Sequence, residues 1–190
     1  MVKNVLVTAL WVFSMSVWVG ATLEVVAPAA AAEPADDQDS KSKDAQPKDL
    51  LKPTNNVESW VFELNEDGKG EIKVDGDAIV FTTTQTTGTD WHVQAYQTEL
   101  DLKDDQDYVV KFQMKSPEKV ALLLVGQIHE EDWHEIGLHE EIQPTDEFKE
   151  YEFEFTADNT VDKNNRIGFV LGIDKGVVSV KDMTLTEKAK

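Results

Sequence analysis

The segment Glu150-Tyr151-Glu152-Phe153-Glu154-Phe155 alternates strictly between acidic and aromatic residues. Successive side chains of a β-strand point to opposite faces of the sheet, so this period of two places the aromatic side chains on one face and the glutamates on the other. The segment therefore predicts a strand with one buried face and one solvated face. Residues 108–114 repeat the pattern, with apolar residues at every second position and Gln113 on the more polar face.

Similar runs rich in Val, Ile, Phe, Tyr and Thr recur on both sides of these two segments. They predict about nine short strands, separated by Gly, Pro, Asp and Asn residues that favour tight turns. Because no helical periodicity lies between them, the predicted fold is all-β, an antiparallel two-sheet β-sandwich over residues 57–187. The predicted strands are 60–62, 71–74, 78–81, 91–97, 108–114, 120–128, 151–155, 167–171 and 177–185.

The composition limits which partners this fold can bind. The 190 residues include 37 acidic and 18 basic residues, which give a net charge of −19, and the single arginine is Arg166. Nucleic acids and anionic membranes bind proteins largely through Lys and Arg, so this charge argues against both and favours a neutral ligand. The sequence has no cysteine, which excludes disulfide bonds.

The N-terminal 56 residues predict targeting and linker segments. Lys3, an apolar run at 5–19 and small residues at 28–32 indicate a secretory signal at residues 1–32 that is cleaved before Glu33. The alternative is an uncleaved membrane anchor, because residues 5–26 are long enough to span a bilayer. Residues 33–56 are poor in large apolar residues and predict a disordered acidic linker. We expect a secreted or periplasmic monomer without membrane contact after cleavage.

Several blocks of the predicted folded unit resemble a known family. The blocks are residues 60–62, 89–97, 100–102, 107–112, 148–155, 166–172 and 178–185. In this order they resemble the jelly-roll carbohydrate-binding modules of families 4, 9, 16 and 22. The resemblance implies a two-sheet jelly roll that binds a neutral polysaccharide such as β-glucan, xylan or mannan without catalysis, and that often holds a structural calcium ion. It also implies that Gln94 lies in the binding face and that Asp182 lies near the calcium ion.

The residue types needed for sugar binding are present. Sugar rings stack on aromatic side chains, and their hydroxyl groups need amide or imidazole partners. Trp91 and Trp133 lie in polar surroundings that suit such stacking, whereas we interpret Trp60 as a core residue. The candidate ligand-binding residues are Trp91, His92, Gln94, Tyr96, Gln113, Gln127, His129 and Trp133. The candidate calcium ligands are Asp182 and Glu58, where the two ends of the folded unit are expected to meet.

Two patterns suggest enzymes, but neither satisfies the chemistry. His134, Glu135 and His139 resemble a zinc-protease motif, but that motif needs histidines four positions apart on a helix and these are five apart. The triplet Gln127-Ile128-His129 resembles one in β-sandwich polysaccharide lyases, but one arginine cannot neutralise the carboxylates of a uronate polymer. A surface zinc site, a small polysaccharide lyase or hydrolase and a protein-binding envelope or adhesion domain are the alternatives. We predict that the protein is not an enzyme.

Overall fold

Ten β-strands form two antiparallel sheets of five strands each in the computed structural model, which describes residues 47–188. The strands are β1 (Val61–Leu64), β2 (Lys69–Asp75), β3 (Ala78–Gln85), β4 (Val93–Leu100), β5 (Asp107–Lys115), β6 (Leu122–Ile128), β7 (Glu135–Ile142), β8 (Lys149–Thr156), β9 (Asn165–Val170) and β10 (Gly176–Glu187). The front sheet has the order β1-β4-β9-β6-β7, and the back sheet has the order β2-β3-β10-β5-β8. This arrangement is the predicted jelly-roll β-sandwich.

The hydrophobic core lies between the two sheets. Trp60 is buried there, with its ring centroid 5.2 Å from that of Phe81 and 6.1 Å from that of Phe169. Phe112 packs edge-on against Phe169 at 5.4 Å, so the core joins residues of both sheets. Aromatic pairs of this geometry stabilise a core beyond the burial of their apolar area. The interpretation of Trp60 as a core residue is confirmed.

Strand β7 is the element that the sequence did not predict. It occupies Glu135–Ile142, a stretch that sequence analysis considered only as a metal motif. Ile136, Leu138 and Ile142 are buried, but the residues between them are a glycine, a histidine and two glutamates. Glu140 lies half-buried at the inward position between Leu138 and Ile142, which interrupts the period of two. An edge strand tolerates such a charge because its free edge faces solvent.

Residues 49–56 belong to the folded unit, which corrects the predicted boundary of the linker. Leu50 donates its backbone N–H to Leu185 of β10, and Thr54 exchanges hydrogen bonds with the backbone of Met183. Gln97 also binds the backbone of Lys52 through both ends of its amide. Composition alone predicted disorder here because few apolar residues are present, but these backbone hydrogen bonds hold the segment against the sandwich.

The rest of the predicted N-terminal segments falls outside the described residues. The signal at residues 1–32 and the linker as far as residue 46 are therefore predictions that the structure does not address. Within residues 47–188, no helix is both long and apolar enough to cross a membrane.

Candidate functional site

The outer face of the front sheet carries a pocket of about 360 Å³, which we call the front pocket. Its floor consists of outward side chains on neighbouring strands, because Glu63 of β1 pairs with Gln94 of β4 and Gln127 of β6 pairs with Arg166 of β9. The lining residues are Glu63, Asn65, Trp91, Gln94, Gln127, Trp133, Arg166 and Val170. This volume is typical of pockets that bind small molecules or short segments of a polymer.

Arg166 is the central charge of the pocket floor and is only 6% exposed. Its guanidinium carbon lies 4.4 Å from the centre of the Tyr96 ring and 5.0 Å from the centre of the Trp133 ring. One terminal nitrogen donates to Oε1 of Gln127 at 2.8 Å and lies 3.5 Å from Oε1 of Gln94. Arginine stacks on aromatic rings and presents several fixed donors, so these contacts hold the guanidinium in one orientation.

Glu63 is the opposite charge beside Arg166. Its carboxylate accepts hydrogen bonds from the Tyr96 hydroxyl at 2.7 Å and from the Asn65 amide at 3.0 Å. Burial alone would raise the pKa of Glu63, but these hydrogen bonds and the charge of Arg166 outweigh it and hold the pKa below its ordinary value. Burial and the bond to Glu63 raise the pKa of Tyr96 to about 12. At neutral pH the pocket therefore contains an ionised carboxylate and a neutral phenol.

His129 packs between two aromatic residues at the edge of the front pocket. Its ring centroid is 5.6 Å from that of Tyr96 and 5.7 Å from that of Trp133. Its Nδ1 atom is buried and has no hydrogen-bond partner among the described residues. Burial, together with the charge of Arg166, lowers the pKa of His129, so the ring is neutral at pH 7. His129 thus supports the two aromatic rings.

Trp133 lies in the loop between β6 and β7 and is 46% exposed. Asp132 and Trp133 have φ angles of 79° and 51°, in the left-handed region that non-glycine residues seldom adopt. The neighbouring His134 connects this loop to a second one, since its Nδ1 lies 2.6 Å from Oδ1 of Asp132 and its Nε2 lies 2.8 Å from the carbonyl oxygen of Asn159. These contacts fix the loop backbone that presents the indole to solvent.

Trp91 is the second exposed aromatic residue of the pocket, at 51% exposure. It lies in the 3-10 turn Asp90–His92, and its carbonyl accepts a hydrogen bond of 2.8 Å from the Gln94 amide. The turn rests on Gly172, which donates to the carbonyl of Asp90 at 3.0 Å. A Cβ atom at position 172 would lie 2.2 Å from that oxygen, so this close approach requires glycine.

The structure brings most of the predicted ligand-binding residues together. Four of them line the front pocket, and Tyr96 and His129 pack beside it; the four are Trp91, Gln94, Gln127 and Trp133. His92 points away to a neighbouring depression, where Nδ1 lies 2.7 Å from the Thr87 hydroxyl. Gln113 is separated from this group, because it lies on β5 of the back sheet and donates to Asp182 at 3.1 Å.

Sequence reasoning missed Arg166 and Glu63 as site residues. Both lie on strands whose alternation was visible: Ile167 and Phe169 face the core, which places Arg166 on the outer face of β9. No sequence pattern indicates that Glu63, 103 residues away along the chain, pairs with Arg166, because this contact depends on β4 lying between β1 and β9.

The predicted calcium ligands are not part of an acidic cluster. Asp182 lies where the pairing of β10 with β5 shifts register, with φ at 53°, and Glu58 lies in a 3-10 turn at Val57–Ser59. Among residues 47–188, no group of three or more His, Asp, Glu or Cys side chains could hold a metal ion. Calcium binding stays a prediction.

Residues 49–175 match the family model of the carbohydrate binding domain, family 4/9. The chain belongs to this family. The match begins at Asp49, which agrees with the docking of residues 49–56 onto the sandwich. No curated protein is significantly similar to the chain.

Solved structures share the fold of this carbohydrate binding domain. A CBM4 structure matches with a TM-score of 0.63 at 17% identity, covering 73% of this chain and 93% of that chain. The second N-terminal cellulose-binding domain of Cellulomonas fimi β-1,4-glucanase C matches with a TM-score of 0.63 at 14% identity, covering 78% and 100%. An arabinose-bound MgGH51 α-L-arabinofuranosidase matches with a TM-score of 0.56 at 13% identity, covering 75% of this chain but 27% of that chain. At these identities the likeness shows the fold alone.

Proposed function

We propose that the front pocket binds a neutral polysaccharide of the β-glucan, xylan or mannan class without cleaving it. The observation that carries this proposal is the pair of half-exposed tryptophans, Trp91 and Trp133, at a pocket whose floor is polar. Indole faces suit the C–H faces of sugar rings, whereas the polar floor suits hydroxyl groups. Membership of the carbohydrate binding domain family supports the same ligand class.

The floor offers both kinds of hydrogen-bond partner that a hydroxyl group uses. Because Gln127 accepts from Arg166 with its amide oxygen, it presents its NH₂ group as a donor. Arg166 has further N–H groups at the pocket, and the ionised Glu63 accepts. Adjacent hydroxyl groups of one sugar can therefore donate to the carboxylate and accept from the guanidinium or the amide at the same time.

The charges of the pocket favour a neutral ligand over an anionic one. Arg166 is the one cation among the pocket-lining residues of the described chain, and the carboxylate of Glu63 lies 4.0 Å from it. This pairing reduces the charge that Arg166 can offer to a uronate, and the net charge of −19 adds long-range repulsion. An anionic polymer would have to displace or neutralise Glu63.

The same geometry supports binding without catalysis. Glycoside hydrolysis requires two carboxyl groups on either side of the bond, one of them with a raised pKa. Glu63 is the one carboxyl group among the lining residues of this part of the chain, and its pKa is lowered rather than raised. Glu63 is therefore suited to accept a hydrogen bond from a hydroxyl group, not to protonate a leaving group.

Affinity electrophoresis of residues 33–190 tests the proposal, with gels that contain soluble cellulose derivatives, mixed-linkage β-glucan, xylan, mannan or alginate. We expect retardation by at least one neutral polymer, no retardation by alginate and no new reducing ends after incubation. Cleavage of any polymer would replace the binding function by an enzymatic one. Absence of retardation in every gel would favour the alternative of a protein-binding envelope domain. The N-terminal signal pattern supports a secreted or periplasmic setting for this function.

A further inference from the structure

Strand β2 forms one edge of the back sheet, and within residues 47–188 it pairs only with β3. The other side of an edge strand presents unpaired backbone N–H and C=O groups, to which a further strand can pair. The turn, the charges and the apolar side chains around β2 indicate which strand suits this edge.

The turn after β2 determines which of its backbone groups point to the free edge. The two residues between Asp75 and Ala78 form a hairpin turn, with a φ angle of 63° at Gly76. Residues that flank such a turn form a hydrogen-bonded pair, and bonded and non-bonded pairs then alternate along the two strands. The N–H and C=O groups of Ile72 and Val74 therefore point away from β3.

The side chains on the solvent face of β2 are exposed and alternate in charge; they are Lys69, Glu71, Lys73 and Asp75. None of them belongs to an ion pair among residues 47–188. If the β2 strands of two copies pair antiparallel about Ile72, Glu71 of each copy lies opposite Lys73 of the other. Lys69 then lies opposite Asp75. Opposite charges at such cross-strand positions stabilise a sheet.

Backbone hydrogen bonds and charges favour the same register. Ile72 can lie on the two-fold axis because its N–H and C=O groups point to the free edge. Shifting one copy by two residues would place Glu71 opposite itself and Lys69 opposite Lys73, which brings like charges together. It would also centre the pair on Glu71, whose backbone groups point to β3. The register centred on Ile72 is therefore favoured over its neighbours.

Exposed apolar side chains gather at the same edge. Val74 of β2 is exposed, and so are Leu64 of β1 and Val57 of the 3-10 turn Val57–Ser59, two elements that contact β2. Apart from the two tryptophans of the front pocket, four of the five exposed large apolar residues within 47–188 lie on β1, β2 or this turn. Clustered exposed apolar residues, unlike single ones, are typical of a contact surface.

The opposite edge of the back sheet has a different character. Its edge strand is β8, and the side chains on its solvent face are Glu150, Glu152 and Glu154. Two copies that paired along β8 would place glutamates opposite glutamates. The charge pattern therefore distinguishes β2 from β8 as the edge that suits a second copy of the chain.

We infer that β2 is the contact of a symmetric dimer, in which the β2 strands of two copies of this chain pair antiparallel about Ile72. The two back sheets then form one sheet of ten strands, with the two-fold axis normal to it. Because this axis keeps both front sheets on the same side, the two front pockets face the same direction. One polymer can then occupy both pockets, which increases its avidity. The dimer replaces the monomer that was expected from the sequence.

Sedimentation velocity of residues 33–190 over a range of protein concentrations tests the inference. The buffer has about 0.15 M ionic strength, which screens repulsion between the two acidic chains beyond about 8 Å. We expect the wild-type protein to dimerise with a dissociation constant below about 100 μM. Glu71→Lys and Lys73→Glu should each weaken the dimer at least about tenfold, because each places like charges opposite one another at two positions. Glu71→Lys makes the protein less acidic, so weaker association of this variant cannot come from net charge.

An equimolar mixture of the two variants should dimerise about as tightly as the wild type, since the lysines of one variant then face the glutamates of the other. Lys175→Glu is the matched control, because it makes the same charge change as Lys73→Glu at an exposed residue between β9 and β10. It should leave the dimer intact.

A wild-type protein that stays monomeric at every concentration would overturn the inference. So would a dimer that both β2 variants leave unchanged, or a mixture of the two variants that associates no better than either variant alone. The polysaccharide gels test the front pocket separately, so failure of one proposal leaves the other in place.

Discussion

The ring of Tyr96 contacts the guanidinium group of Arg166 at 4.4 Å, while the hydroxyl group of the same tyrosine donates to Glu63 at 2.7 Å. Tyr96 thus connects the buried cation and the partly buried anion of the front pocket. The direct distance from Arg166 to Glu63 is longer, at 4.0 Å. The orientation of both charges therefore depends on the tyrosine between them as well as on their mutual attraction.

Replacing Arg166 by Met tests how much this arrangement contributes to stability. The change keeps an apolar side chain under Trp133 but leaves Glu63 without its cation, so we expect the free energy of unfolding to fall by about 1–3 kcal/mol. Urea denaturation measures the loss. Arg166→Lys is the control, because it keeps the charge but loses the planar donors. It should lower the free energy of unfolding by less than the Met variant does. A Met variant as stable as the wild type would show that the ion pair contributes nothing.

Trp133→Ala separates ligand binding from packing. Because Trp133 is half-exposed, its loss should change the melting temperature little. It should weaken binding of the polysaccharide that retards the wild-type protein in the gels by at least about tenfold. Trp60→Ala is the matched control, since that ring is buried in the core and its loss should cost about 3–5 kcal/mol of stability. A large drop in melting temperature for the Trp133 variant would identify Trp133 as a packing residue.

The fold could be predicted from the sequence because the strands with the clearest alternation have one buried face and one solvent-exposed face. Residues 150–155 and 108–114 alternate clearly, and both became neighbouring strands of the back sheet, with Phe112 opposite Tyr151. Alternation was weaker in β7, where Glu140 takes an inward position, and in β9, whose two faces are both covered. Gln113 shows what alternation does not predict. The pattern indicated that its side chain faces outward, but it did not indicate which of the two sheets carries it.

The site could be predicted only in part because it is assembled across strands that are distant in sequence. Residue type alone drew attention to Trp91, Gln127 and Trp133, and the family resemblance drew attention to Gln94. Charged residues are so common in this chain that Glu63 did not stand out among 37 acidic residues. Its role follows from strand order, which local sequence patterns do not encode.

The loop that carries Trp133 should respond to pH through His134. A neutral imidazole has one N–H group, but both ring nitrogens of His134 face acceptors, on Asp132 and Asn159. The Asn159 carbonyl, Asp132 and the charge of Glu130 raise the pKa of His134 above its ordinary value. The stability that the protonated His134 ring contributes to the loop is therefore fully present below the ordinary pKa of histidine. It is lost as the pH rises through the raised pKa of His134.

His129 should act in the opposite direction. Burial and the charge of Arg166 lower the pKa of His129, although the charge of Glu63 opposes this shift. The stability that the neutral His129 ring contributes is therefore present above the ordinary pKa of histidine. It is lost as the pH falls through the lowered pKa. Melting temperature and glycan affinity, measured from about pH 5 to about pH 9, separate the two effects. His134→Gln should abolish the decline on the alkaline side, and His129→Gln the decline on the acidic side. Unchanged profiles in both variants would contradict this assignment.

The segment at residues 49–56 should be required for stability but not for ligand recognition. Gln97 binds both the N–H and the carbonyl group of Lys52, and the Trp60 indole donates to the carbonyl of Thr54 at 3.0 Å, so removal of the segment leaves buried polar groups without partners. Such groups cost about 1–3 kcal/mol each. A protein that starts at Val57 should therefore melt at a lower temperature than one that starts at Pro47.

Pro47 is the suitable start for the control protein because it keeps Asp49, whose carboxylate accepts a hydrogen bond from the backbone of Leu185. The front pocket lies on the outer face of the front sheet, whereas residues 49–54 bind β10 of the back sheet and the inward side of β4. Below their melting temperatures, the two proteins should therefore bind the polysaccharide with the same affinity. Equal melting temperatures for the two proteins would mean that the segment docks without contributing to stability. A selective loss of affinity in the shorter protein would mean that the segment positions the front sheet for its ligand.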